Sequence, residues 1–158
     1  MERKHVRRVV MSFAGLGVAA LLVMARPAAA GIDPEVRAGV YPGAEQVSLG
    51  GGLLMPVGHE SAWNFNPNVE ATINGDDFVA VSGDVHYDFR GSRNTAVWVG
   101  AGPALIWANR PGPDNNTDVG MNVLTGVGSK RGQMRPFAQL RGTMADENRV
   151  AISGGIRF

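Results

Sequence analysis

The chain has 158 residues, 15 of them Lys or Arg and 14 Asp or Glu, for a formal net charge of +1, and it contains no cysteine. A near-neutral balance, with its only basic cluster at the very start, gives no electrostatic footprint for nucleic acid, and the lack of cysteine excludes a disulfide-stapled fold. The length fits a single domain behind a short leader.

The first element is an export signal. MERKHVRR carries Arg3, Lys4, Arg7 and Arg8, residues 9–25 form an uncharged apolar run, and Ala28-Ala29-Ala30 supplies the small residues that signal peptidase reads before Gly31. The competing reading is an uncleaved anchor, because the run is near the short limit of ~17 residues for crossing a bilayer. Arg26-Pro27 ahead of three alanines fits a cleavage region better than a stop-transfer flank. Residues 1–30 are therefore read as a cleaved signal peptide and residues 31–158 as the mature domain.

After Gly31 the pattern is two-residue alternation punctuated by turn residues, with little helical periodicity. Eight strand segments are predicted, at about 36–42, 45–55, 62–73, 78–89, 95–107, 118–129, 134–145 and 148–158. In the third, Trp63, Phe65, Val69, Ala71 and Ile73 oppose Asn64, Asn66, Asn68, Glu70 and Thr72; in the fourth, Val79, Val81, Val85, Tyr87 and Phe89 oppose Ser82, Asp84, His86 and Asp88. The sixth sets Val119, Met121, Val123 and Val127 against Gly120, Asn122, Gly126 and Gly128. The seventh sets Ala138, Leu140, Gly142 and Met144 against Phe137, Gln139, Arg141 and Thr143. The last, RVAISGGIRF, puts Val150, Ile152, Ile156 and Phe158 on one face and Arg149, Ser153 and Arg157 on the other. Pro42-Gly43, Asn74-Gly75, Gly91-Ser92, Pro111-Gly112 and Arg131-Gly132 supply turn chemistry between segments. Pro67 and Pro103 each remove a ladder hydrogen bond, so a bulge or irregular register is expected there.

An even number of roughly ten-residue strands joined by hairpins suits a closed up-and-down transmembrane barrel, in which closure pairs every backbone group. The fold class predicted is all-β, an eight-stranded antiparallel barrel. Three features favour apolar side chains outside and polar ones in the lumen. Small residues crowd the polar faces (Gly50, Gly52, Gly100, Gly102, Gly126, Gly128, Gly155), as a narrow interior requires. Trp63, Trp107, Tyr87, Phe89 and Phe158 fall at strand ends, where membrane-interface girdles form. The signal peptide delivers the chain to a compatible compartment.

VSLGGGLLMPVG, FNPNVEA, VWVGAGPALIW, RPFAQLRGTM and VAISGGIRF extend over nearly all of the mature chain, and with them the sequence resembles the small outer-membrane β-barrel superfamily of Gram-negative bacteria, the OmpA transmembrane domain, OmpX and opacity-protein type. The resemblance implies an outer-membrane location and contact with outer-membrane lipid and lipopolysaccharide. It also implies recognition of the C-terminal strand by the barrel-assembly machinery, with Phe158 as the assembly signal.

With Phe158 outward, the inward residues Glu70, Asp84, His86 and Asp88 of the third and fourth strands face Arg141, Arg149 and Arg157 of the seventh and eighth, with Arg37 as a further candidate. Single buried charges are prohibitive, so a paired network bridging the lumen is expected. An eight-stranded interior is nearly filled by its own side chains, which argues against a wide pore. Only His59 and His86 remain after the signal is removed; neither sits with a serine near the lipid face, so no catalytic site is identified, and two histidines do not make a zinc site. No cofactor is implied. Residues 108–118 form the one long outward connection, and Asn109, Arg110, Asp114, Asn115 and Asn116 are its candidate contacts for an unknown surface ligand. The functional reading is a structural or adhesin-like barrel with a charge-plugged lumen. The alternatives are a narrow porin-like channel and an exported soluble barrel that binds a small apolar ligand.

Overall fold

The computed structural model describes residues 31–58, 62–73, 78–89, 93–108 and 117–158. Eight strands, β1 Asp33–Tyr41, β2 Gln46–Pro56, β3 Trp63–Thr72, β4 Phe78–Asp88, β5 Thr95–Ala108, β6 Thr117–Ser129, β7 Arg135–Met144 and β8 Arg149–Arg157, form a closed barrel in sequence order. Every neighbouring pair is antiparallel, and β8 closes the barrel on β1 through pairs such as Glu35 with Arg157 and Val40 with Ile152. The register stagger accumulated around the barrel is about ten residues, which goes with strands tilted by roughly 35–45°.

Seven strands lie within one residue of the predicted limits; β1 starts at Asp33 rather than 36. The reason is tertiary: Asp33, Pro34 and Glu35 lack strand propensity but are held by pairing with Leu54, Leu53 and Gly52. The base of the barrel is the end that carries Asp33 and Arg157; the top carries Tyr41 and Arg149.

The bulges expected at Pro67 and Pro103 do not form. Pairing lapses between Gly52–Asn68 and Met55–Phe65, and again between Ser82–Ala104 and Val85–Ala101, yet the register is unchanged across both gaps. Each proline turns its missing N–H toward only one neighbour, so only one ladder is interrupted. Across from Pro67 the side chain of Asn66 replaces the lost donor, its Nδ2 donating to the Leu53 carbonyl at 3.2 Å.

The barrel is inside out. Val119 is 75 % exposed and Ile152 52 %, whereas Asn66 and Asp84 are fully buried. This is the inverse of a soluble barrel, and no aqueous surface carries so continuous an apolar belt. Hydrocarbon is the solvent that suits it. Trp63, Tyr87 and Phe89 interlock edge to face on the outside of the base, with ring centroids 5.0 and 5.3 Å apart, while Trp107 lies near the top. Inside, glycine sits where a ring arrives: a Cβ on Gly126 would collide with the Trp98 indole, and one on Gly155 would meet the Phe137 ring at 2.7 Å.

Candidate functional site: the plugged lumen

Three carboxylates and three guanidinium groups alternate along the lumen, from mid-height down to the base. Arg141 on β7 reaches Asp84 on β4 at 3.1 Å and Glu70 on β3 at 3.2 Å; Glu70 also receives Arg37 from β1 at 3.3 Å. Arg37 pairs with Glu35 at 3.2 Å, and Glu35 accepts from Arg157 Nε on β8 at 2.9 Å. The belt runs Asp84, Arg141, Glu70, Arg37, Glu35, Arg157, with equal numbers of either sign.

Neutral polar groups complete it. Tyr41 donates to Glu70 Oε1 at 2.7 Å, and Asn122 donates to Asp84 Oδ1 at 2.9 Å while accepting from the Thr143 hydroxyl at 2.8 Å. Asn68 is a hub: its Oδ1 accepts from Arg37 and Arg141, and its Nδ2 donates to Asp84 at 2.9 Å. All six carboxylate oxygens of Glu35, Glu70 and Asp84 thus have donors. Full pairing of the carboxylates is what makes their charge tolerable in a low-dielectric interior, whereas Arg37, Arg141 and Arg157 each keep one buried N–H without a partner.

Apolar layers close the belt on both sides. Toward the base, Trp98, Leu124, Phe137 and Ala96 form one cluster, with Trp98 and Phe137 edge to face at 6.1 Å. The Arg157 guanidinium lies 4.3 Å from the Trp98 ring centre and 4.7 Å from that of Phe137, so one cation belongs both to the belt and to its apolar floor. Toward the top, Tyr41, Phe78, Ala80, Ala104, Ile106, Ala108 and Ala151 form the second cluster, with Tyr41 and Phe78 at 5.3 Å. The gap bounded by Tyr41, Phe78, Ser82, Asn122, Arg141 and Thr143 measures ≈ 10 Å³, room for about one water molecule.

Glu70, Asp84, Arg141, Arg157 and Arg37 occupy the predicted network. Three other predicted members do not. His86 faces inward and is buried, but it stacks on Trp98 at 6.4 Å, and neither ring nitrogen has a hydrogen-bond partner. Asp88 accepts from Asn64 at 3.2 Å near the base, ~13 Å along the strand from Asp84, where it feels the charge of Arg157 at the lower end of the belt. Arg149 pairs with the exposed Glu147 at 3.0 Å and covers Phe78 at the top rim, eight strand residues, or ~26 Å, from Arg157. Sharing a face does not place residues at one level.

Several functional residues escaped the sequence reading. Glu35 lay outside the predicted first strand, although alternation through Glu35, Arg37 and Tyr41 would have found it. The polar faces of β3 and β6 did contain Asn66, Asn68 and Asn122, but amides gave no hint of their role as hubs. Trp98 had no signal, because both faces of β5 are apolar. Phe158 is 39 % exposed, its N–H donating to the Pro34 carbonyl and its own carbonyl accepting from Arg135. His59 and the loop candidates Asn109, Arg110, Asp114, Asn115 and Asn116 lie outside the described residues. Among the described residues, no group of acidic, His or Cys side chains could hold a metal ion.

No protein-family model matches the chain, and no curated protein sequence does. Solved structures do. The N-terminal β-barrel domain of Pseudomonas aeruginosa OprF aligns with a TM-score of 0.65 at 16% identity, over 80% of this chain and 96% of that one. Neisserial surface protein A aligns with a TM-score of 0.56 at 18% identity, over 80% and 92%. A de novo designed transmembrane β-barrel gives 0.52 at 15% identity, over 80% and 94%. At these identities the likeness is one of fold: the chain shares the closed eight-stranded antiparallel barrel of these membrane proteins.

Proposed function

We propose that this protein is a non-enzymatic barrel of a Gram-negative outer membrane that serves a structural or surface-interaction role and does not conduct. The observation that carries the reading is the three-layer lumen, in which a charge-balanced belt is closed by the Trp98 layer toward the base and the Tyr41–Phe78 layer toward the top. A solute would have to break paired charges and displace packed rings. In this reading residues 1–30 are a cleaved export signal, the base is periplasmic, and lipopolysaccharide and phospholipid surround the belt. Phe158 presents the last strand to the assembly machinery. The long connection at residues 108–118 is the segment offered to a surface ligand.

The test is planar-bilayer recording of the refolded protein. The expected trace is flat, and Trp98→Ala together with Arg141→Met is expected to produce unitary steps. Reproducible steps from the unmodified protein, lost on neutralising Arg141 or Glu70, would contradict the reading.

That outcome would instead support the second reading, a narrow channel. One observation favours it: Arg37 Nε, Arg141 Nε, Arg157 Nη2, Gln139 Nε2 and both His86 nitrogens are buried without a hydrogen-bond partner along the lumen. Water would solvate them, and a wetted lumen is the first requirement for conduction.

A further inference from the structure

The outer wall is not evenly convex. A trough of ≈ 660 Å³ crosses β3 to β7 on the lipid-facing side, within the range of about 300–1,000 Å³ usual for small-molecule sites. Its line follows one row of paired residues, Trp63, Tyr87, Val99, Thr125 and Leu140, each opposite the next across a strand boundary. Ala101 and Gly142 in the adjoining row make the depression, because they raise little or nothing above the sheet. Trp63 stands at the base of β3 and Leu140 at mid-height on β7, so the trough climbs obliquely from the aromatic girdle to the middle of the belt. Four strand spacings give it a length of ~19 Å. The Thr125 hydroxyl, turned to the Trp98 carbonyl at 3.0 Å, is not offered to the trough.

We infer that this trough seats an acyl chain of a periplasmic-leaflet phospholipid, with the headgroup at the Trp63–Tyr87 girdle and the chain end near Leu140 and Gly142. Continuity with the girdle fixes the polar end, and the length suits one extended chain of about sixteen carbons lying in a single leaflet of a core ~30 Å thick. A second copy of the protein is a poorer occupant. A trough one chain wide is far below the ~800 Å² per partner that a stable protein interface buries. The inference rests on the proposed orientation, with the base toward the periplasm.

The experiment is native mass spectrometry of the folded full-length barrel released from detergent, titrated with dipalmitoyl phosphatidylethanolamine. One lipid is expected to survive collision energies that strip the rest. Gly142→Leu fills the upper end without strain, since a Cβ there meets nothing closer than the Val123 carbonyl at 3.9 Å. It should lower retention at least tenfold, as should Ala101→Phe. Ala38→Phe, on the opposite wall, should leave retention unchanged. No retained lipid, equal retention in Gly142→Leu, a ten-carbon chain held as well as a sixteen-carbon one, preferential retention of lipid A, or a dimer in place of the lipid complex would each overturn the inference. Heat-modifiable gel migration of every sample separates the two levels. A barrel that folds in membranes yet retains no lipid loses this site and keeps its fold, whereas a chain that never enters membranes loses the outer-membrane reading as well.

Discussion

The β3–β4 wall and the β5–β6 wall face the same lumen and fill it by opposite means. The first contributes Asn66, Asn68, Glu70, Ser82 and Asp84, and alternates between apolar outside and polar inside except at the top of β4, where Phe78 and Ala80 turn inward. The second contributes Trp98, Ala104, Ile106 and Leu124 beside glycines, with Asn122 and Asp118 of β6 as its buried polar groups, so that its inner face is far more apolar than that of the first. The polar wall needs Arg37 and Arg141 from across the lumen; the apolar wall needs space, which Gly126 gives to the Trp98 indole. A narrow barrel is thus closed by two devices at different heights, one electrostatic and one steric, and each has its own way of failing.

The largest effect is expected from breaking the electrostatic device alone. Arg141→Met strands Asp84 and half of Glu70's pairing, and should destabilise the barrel by about 3–5 kcal/mol in urea unfolding from lipid vesicles. Adding Asp84→Asn removes one charge of each sign and should restore more than half of that loss. No recovery would mean that charge balance is not what holds the belt together. The steric device comes next: Gly126→Leu drives a side chain into the indole and should cost ~3 kcal/mol, the upper end for overpacking. Gly154→Ala is its control, because a Cβ there meets the Phe137 carbonyl at an ordinary 3.6 Å, and the unfolding midpoint should stay put. Asn66→Ala tests the mend beside Pro67. Leaving the Leu53 carbonyl without a donor in hydrocarbon should cost about 1–3 kcal/mol, read in the same assay. Smallest of all is Arg149→Ala. Its partner Glu147 is 60 % exposed, and loss of such a rim pair should cost under ~1 kcal/mol.

The same contrast governs how much was legible in the sequence. Turn residues between segments set the limits of β2 to β8 alike, each within one residue of expectation, whereas lumen membership is revealed only where one face is polar, as in β3, β4, β7 and β8. Height within the lumen is not encoded in that way. It follows from the register of all eight pairs: Asp88 shares a face with Asp84 but lies ~13 Å along the strand from it, and Arg149 lies ~26 Å from Arg157. His86 shares a face with the belt charges and feels them, yet its ring stacks on an indole brought from β5 by pairing and neither nitrogen bonds to them. Glu35 was lost because local propensity at Asp33–Pro34 reads as a turn, and only pairing with β2 and β8 makes it strand. Pro67 was expected to bend the sheet; instead a neighbouring amide restores the missing bond and the register runs on.

The central claim is that lipid, not water, solvates the exposed apolar belt. Because the chain has no cysteine, single-cysteine variants at Val81, Leu140 and Ile152 can be spin-labelled without background. In refolded vesicles the account predicts high collision rates with oxygen and low ones with a water-soluble nickel chelate at all three sites, and the reverse at Met134 on the base turn. Strong chelate relaxation at Val81, Leu140 and Ile152 would contradict it.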